Sequence, residues 1–326
     1  MKKAAFILVL CCLLWGYSFP VLQLAMKALR ELYWQGREPV AAQALGLTGA
    51  FLGWRFTLAA LMTLAFLPST WRGYTRNDVR SGMILGTLFA AGMLCQLGGL
   101  QFVLPSVSSF LTSLTVIFTP LTQALILRRS VSGWTWAGVG LAMAGVGVLS
   151  IPNPDACAEC SVMEKPPIPY LGEMLSTLGA VIFTMQILAL DRFGARCNSR
   201  RLTLVNFVTT SVICSQFGLL LCGRALYRQE VIGALFSNGK FLILLVTLTL
   251  VSSVLAVHLM NRYQHEVTPA VASVIYTTES IFATIFSLLF GTERLTATTV
   301  IGGVLLMGAF AAVTLPGNEK HEEVEL

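Results

Sequence analysis

Charge is what this sequence has least of. Only 12% of its residues are Asp, Glu, Lys or Arg, roughly half the share of a soluble domain, and that excludes an ordinary water-soluble fold. Histidine is scarcer still, at 3 in 326 residues. His258 and His265 do not stand at the helical spacing of a metal-binding pair. The chain also has no HExxH, no phosphate-binding glycine loop and no nucleophile elbow. The usual sequence footing of a metalloprotease, a nucleotide hydrolase or a serine hydrolase is therefore missing. The lone Cys157-Ala158-Glu159-Cys160 has no second pair to complete a zinc site, so neither a metal nor an enzymatic activity is expected.

What the chain has is apolar length. It is 55% hydrophobic with a mean hydropathy of +0.74, and runs of about 20 apolar residues recur, the length needed to cross ~30 Å of hydrocarbon. Ten segments meet that criterion, near residues 4–24, 50–67, 81–103, 105–127, 132–151, 170–190, 202–222, 240–260, 269–290 and 296–315. Helices are the only sensible reading, because an open strand cannot satisfy its backbone in lipid. The expected fold class is an all-α integral membrane protein with ten transmembrane helices. Lys2 and Lys3 ahead of an apolar run resemble a secretory leader, but no small-x-small cleavage site follows the run closely. Trp15–Pro20 is a poor cleavage region, so this run is read as an uncleaved first span.

In such a protein a net charge of +6 reports loop placement, and no nucleic-acid partner is implied. Arg72, Arg76 and Arg80 fall in one predicted loop, and Arg192, Arg196, Arg200 and Arg201 in another. Both belong to the same side as the N-terminus, which places both termini in the cytoplasm of a multi-pass protein of the cell membrane. Lys27–Leu47 is a longer external segment of mixed charge that could lie on the membrane surface or cover an entrance.

The chain also reads as a duplication. Val267–Leu295 aligns without a gap on an earlier stretch: Pro269 falls on Pro105, Val271 on Val107, Ser273 on Ser109 and Phe282 on Phe118. The register continues through Thr299 on Thr135, Gly302 on Gly138, Leu305 on Leu141, Met307 on Met143 and Pro316 on Pro152. Five spans per copy is an odd number, so the second copy is inserted upside down, as in inverted-repeat transporters with a site near the midplane. The expected organisation is a first repeat at 1–151, a proline-rich external linker at 152–169, a second repeat at 170–316 and a disordered cytoplasmic tail at 317–326.

With that frame in place the chain resembles the EamA-type branch of the drug/metabolite transporter superfamily over essentially its whole length. The resemblance is carried by Trp15-Gly16 with Ser18-Phe19, Arg55-Phe56, Pro105–Ser109 with Leu111–Pro120, Gly291-Thr292-Glu293-Arg294-Leu295, and Gly302-Gly303. Two positions depart from the family pattern: Arg128-Arg129 stands where a Gly-Glu-Arg turn is usual, and Ser280 follows Glu279 where proline is common. The resemblance implies a carrier for small metabolites, amino acids or drugs, often an exporter, with no ATP-hydrolysing part.

Glu279 is the first candidate for chemistry. An ionised group at the bilayer centre costs about 2.5–3.5 kcal/mol on insertion scales, so it should face the bundle interior or take up a proton. It could bind protons or a cationic substrate, or it could be a neutral carboxyl tying helices together. Arg55 is read as about five residues into the second span. There it could snorkel to the interface, hold an anionic group or pair with Glu279. Trp15 should lie near mid-membrane, where a buried indole N–H needs a partner. Tyr276 and Phe282, three residues either side of Glu279, should share its helix face. Gln96, Gln186 and Asn206 are mid-span polar groups suited to helix–helix hydrogen bonds or to ligand contact. Gly138, Gly140, Ala142 and Ala144, with Gly302 and Gly303, point to close helix packing. Cys157 and Cys160, in the external linker, could form a disulfide or remain thiols.

These readings combine into a secondary active transporter of small organic metabolites, working as an exporter by alternating access. It needs a small-molecule substrate and surrounding lipid and no cofactor beyond a proton for coupling. Monomer and homodimer are equally compatible with the sequence. An uptake carrier or uncoupled exchanger is the alternative within transport, and a lipid-handling membrane enzyme is the alternative outside it.

Overall fold

The apolar runs become helices because a backbone surrounded by hydrocarbon can bond only to itself. The computed structural model describes residues 2–34, 41–103, 105–151, 169–223, 229–290 and 295–314. In chain order the helices are α1 (Lys2–Trp34), α2 (Ala41–Phe66), α3 (Arg76–Gly99), α4 (Pro105–Ser113), α5 (Thr115–Leu125), α6 (Gly133–Leu149), α7 (Leu171–Gly194), α8 (Ser199–Cys222) and α9 (Gln229–Ser237). They continue with α10 (Gly239–Thr247), a π-helical stretch Leu248–Leu255, α11 (Ala256–Tyr263), α12 (Pro269–Tyr276), α13 (Glu279–Leu289) and α14 (Ala297–Thr314). No strand occurs among the described residues. Eight helical stretches are long and apolar enough to cross a membrane, and Phe110–Leu125 and Gly133–Leu149 are shorter apolar helices. This is a multi-pass membrane protein.

Several helix boundaries differ from the sequence reading. Most of Lys27–Leu47 is helix: α1 runs on to Trp34 and α2 begins at Ala41, with Leu29, Ala44 and Leu47 buried. The two runs expected as single spans at 105–127 and 269–290 are each broken in the middle. In the first, Leu114 separates α4 from α5; in the second, Thr277 and Thr278 separate α12 from α13. No glycine or proline sits at either break. Threonine hydroxyls capture the carbonyls that would continue the helix. Thr277 Oγ1 donates to the Val274 carbonyl and Thr278 Oγ1 to that of Ile275, each at 2.7 Å, while the backbone tightens to three-residue bonds. Thr115 Oγ1 does the same to Thr112 O at 2.7 Å. Three pairs of helices also keep one spacing of 164 residues, starting at 105 and 269, at 115 and 279, and at 133 and 297.

Glycine seams let the helices approach closely. A Cβ on Gly302 would stand 2.8 Å from the Gly145 carbonyl, and one on Gly145 would stand 3.0 Å from the Gly302 carbonyl. The small residues of α6 and α14 thus pack against each other within one chain. Gly140 and Gly303 face open space instead. On α2 and α8 a Cβ at Gly218 would meet the Ala50 nitrogen at 2.6 Å, and Thr57 and Ser211 share a hydrogen bond of 2.6 Å across the same seam.

At the end of the bundle where α1 begins, polar caps tie the turns together. Thr75 and Asp78 form a reciprocal capping box at the start of α3. Asp78 Oδ1 also accepts the Asn198 N–H at the start of α8, at 2.9 Å, and Arg201 stands 3.5 Å from Oδ2. Arg129 and Asp191 form an ion pair at 2.8 Å. Gly73 holds φ +79°, a left-handed turn that favours glycine. Ala4, Ala5, Leu8, Val116, Val139, Val271, Val274 and Leu306 belong to one apolar core that reaches from this end into the bundle. Residues 152–168 with Cys157 and Cys160, residues 291–294 and residues 315–326 lie outside the described residues.

Candidate functional site

Mid-bundle, α1, α2, the π-helical stretch and the α12–α13 break meet, and the polar side chains there belong to all four. Trp15 Nε1 donates to the Ser252 carbonyl at 3.1 Å, the partner a buried indole requires. The Trp15 ring meets Tyr276 edge to face, with centroids 5.6 Å apart. Tyr276 in turn donates its hydroxyl to Gln264 Oε1 at 2.8 Å, and Gln264 Nε2 donates to the Ile187 carbonyl at 2.9 Å. One continuous set of contacts thus runs from α1 through α12 to α7.

Glu279 is the first residue after the break and opens α13. Cys12 of α1 donates to the Ile275 carbonyl at 3.5 Å, one turn before it. Glu279 lies within electrostatic reach of Cys12 and Tyr276. Among the described residues its carboxyl has no hydrogen-bonding partner and no cation. The break also changes the expected face: Tyr276 ends α12 while Phe282 continues α13, so the two flank Glu279 from different helices. The contact of α1 with α13 is backbone-close, since a Cβ on Gly16 would stand 2.5 Å from Phe282 Cβ and 2.7 Å from the Ala283 nitrogen. Tyr17 packs on Phe286 beyond it, with centroids 5.5 Å apart.

Arg55 is deeper than the sequence reading placed it. With α2 starting at Ala41, it lies about 21 Å along the helix by its rise, and only 3% of it is exposed. Snorkelling is excluded by that depth. Its Nε donates to Ser253 Oγ at 2.9 Å and its Nη2 to Ser252 Oγ at 2.7 Å, and no ion pair joins it to Glu279. Both serines lie in the π-helical stretch, a rare geometry that gathers at functional sites. Sequence reasoning missed this stretch, and the adjacent Ser252-Ser253 was its only visible trace.

The remaining candidates stand apart from this cluster. Gln96 is half-buried on α3, with its backbone nitrogen 3.5 Å from where a Gly179 Cβ would be. Gln186 is buried on α7. Among the described residues no hydrogen bond joins either to Glu279, Arg55, Trp15 or Tyr276. Asn206 is buried on α8 and accepts the Thr210 hydroxyl at 3.2 Å, a contact within its own helix. No group of three or more His, Cys, Asp or Glu side chains suited to a metal occurs among the described residues.

The two sides of the break differ in burial. In α12 every residue from Pro269 to Ile275 is buried, whereas α13 has no buried residue. Gln123 of α5 reinforces the buried side, its Oε1 accepting the Ala270 N–H at 3.1 Å, so the end of α5 meets the beginning of α12.

A sequence model described as the EamA-like transporter family matches residues 43–151 and again 170–315. The chain belongs to the EamA-like transporter family. The EamA match falls in two parts on either side of residues 152–169. This EamA chain is 24% identical over 308 residues to a protein of Archaeoglobus fulgidus named as an uncharacterized transporter, covering 94% of this chain and 84% of that protein. A crystal structure of another protein superposes with a TM-score of 0.66 over 97% of this chain and 98% of that one, at 19% identity, a likeness of fold.

Proposed function

We propose that this protein is a secondary transporter of ten transmembrane helices that exports a small organic solute by alternating access. In this reading its two five-helix repeats, 1–151 and 170–316, are inverted relative to each other. The observation that carries the reading is the pair of matched helix breaks. Each interrupts its span immediately before equivalent positions, Thr115 and Glu279, which are separated by the same 164 residues as the flanking helix starts at 105 and 269 and at 133 and 297. Broken helices at mid-depth are how transporters place polar backbone and side chains beside a solute, and irregular backbone survives there only where it is enclosed by protein or lines a cavity. The two-part family match supports the duplication, and the buried α12 beside the half-buried α13 supports a bundle packed more tightly at one end.

The solute site would lie between α1, α2, the π-helical stretch and the α12–α13 break, with Glu279, Arg55, Trp15 and Tyr276 at its walls. A carboxyl without a partner is free to exchange a proton or to meet a cationic group, and Glu279 is the residue to couple transport to protons. Purified protein in liposomes tests this. Counterflow of a metabolite is expected, with efflux accelerated by a pH gradient. Glu279→Gln should remove the gradient dependence while leaving the protein folded. Unchanged pH dependence in Glu279→Gln takes Glu279 out of the coupling step. Accumulation only from the outer side would replace export with uptake.

A further inference from the structure

Arg55 carries a charge that no described residue neutralises. A guanidinium has five N–H donors. The described bonds from Nε and Nη2 go to the hydroxyls of Ser253 and Ser252, which are neutral acceptors, and Nη1 donates to nothing among the described residues. The Phe56 ring, 5.5 Å from Cζ, softens the charge without balancing it. No carboxylate lies within ion-pair distance among the described residues, Glu279 included. Burying a charge without a counter-charge is costly, and a purely structural role could be filled by a neutral donor. The fold nevertheless holds this cation at mid-depth, 3% exposed.

We propose that Arg55 is the receptor for an anionic group of the solute, a carboxylate or a phosphate. The two serines hold the guanidinium by its Nε edge and one Nη2 hydrogen, leaving Nη1 for the incoming anion. A planar guanidinium fork suits either kind of oxyanion. Trp15, fixed by the neighbouring Ser252 carbonyl, and Tyr276 edge-on to it give the rest of the solute an aromatic wall. The solute is therefore an organic anion with an apolar or aromatic body. This assignment rests on the transport reading for its biological meaning, but its chemistry is testable as binding alone.

The experiment is a thermal-shift titration of the detergent-purified protein with 3-phenylpropionate, phenyl phosphate and the neutral 3-phenylpropanamide, followed by competition against solute counterflow in liposomes. A ligand that binds the folded state raises Tm in proportion to RT ln(1 + [L]/Kd). The acid or the phosphate ester should raise Tm and the amide should not, and the stronger of the two identifies the oxyanion. Arg55→Lys keeps the charge but loses the fork and should weaken anion binding at least tenfold. Ser253→Ala should weaken it less, by freeing the guanidinium. Equal shifts with acid and amide on the unaltered protein overturn the proposal without any variant. Unchanged acid binding in a folded Arg55→Met protein also overturns it. Arg55-dependent anion binding without flux in liposomes would keep the anion site and sink the transport reading. Flux of a neutral or cationic solute, indifferent to Arg55→Lys and to competing anions, would do the reverse.

Discussion

Gly16→Ala is the smallest change that tests the α1–α13 contact. The added methyl would stand 2.5 Å from Phe282 Cβ, 2.7 Å from the Ala283 nitrogen and 2.8 Å from the Phe282 carbonyl carbon. Carbon atoms rest at about 3.5–4.0 Å, so the helices must part by about 1 Å or more. Two of the three obstacles are backbone atoms, which no rotamer change can move aside. Overpacking of this kind costs about 1–3 kcal/mol. Alanine's helix propensity returns up to ~1 kcal/mol; with contacts this short the cost sits at the upper end, and the net loss is about 2 kcal/mol. At about 2–4 °C per kcal/mol for a chain of a few hundred residues, Tm in detergent should fall by several degrees.

The same substitution at Gly303 supplies the control. Nothing lies within 4 Å of a Cβ there, so only the propensity gain remains, and Gly303→Ala should be neutral or stabilised. Parting α1 from α13 also shifts Glu279, which sits one turn before Phe282, and catalysis-grade geometry is lost over about 1 Å. Gly16→Ala protein that stays folded should therefore transport at a small fraction of the original rate. Equal Tm values for Gly16→Ala and Gly303→Ala would refute the close contact, and full transport by Gly16→Ala would refute its importance.

Two further substitutions probe the tightly packed end. Gln123→Leu removes the acceptor of the Ala270 N–H at a buried helix start, and an orphaned buried donor costs about 1–3 kcal/mol. Its stability should drop by that amount in thermal unfolding, with faster amide exchange at Ala270. Asp78→Ala removes the capping box, the acceptor of the Asn198 N–H and the partner of Arg201 together. A loss of about 1–3 kcal/mol is expected, read as a lower Tm with earlier proteolysis in the 67–75 and 195–199 turns.

Much of this architecture was written in the apolar runs, because hydrocarbon leaves a chain few options. The boundaries that escaped have physical reasons. Gln43 and Thr48 made the start of α2 look like a loop, but Thr48 returns its hydroxyl to the Ala44 carbonyl at 3.1 Å and costs the helix nothing polar. That early start is what carries Arg55 to mid-depth. The charges at Lys27, Arg30 and Glu31 similarly hid the last turns of α1, where Arg30 donates to Gln101 of the turn after α3. The breaks at Leu114 and Thr277–Thr278 were hidden because threonine, with neither glycine nor proline beside it, is the agent. The π-helical stretch has no sequence period of its own. Trp15 was legible as a deep indole in need of an acceptor. Its acceptor was not, because that carbonyl sits on a helix more than two hundred residues away, and only the fold brings it there.

The two breaks also separate the competing roles of Glu279. A carboxyl that merely ties helices together should find hydrogen-bond partners on its neighbours, as the hydroxyl at the equivalent position finds acceptors on its own. Thr115 Oγ1 is 2.7 Å from the Thr112 carbonyl and 3.2 Å from the Ala180 carbonyl of α7, stitching its break to the adjoining helix. Glu279, 164 positions on, has no such bond among the described residues and is followed by a helix with no buried residue. Position for position, the Thr115 hydroxyl is bonded and the Glu279 carboxyl, among the described residues, is not. A carboxyl that no described residue bonds can change its protonation or its partner without first breaking a hydrogen bond. That makes the α12–α13 break, together with the uncompensated Arg55 across the Trp15–Tyr276 pair, the arm of the bundle suited to respond to a solute.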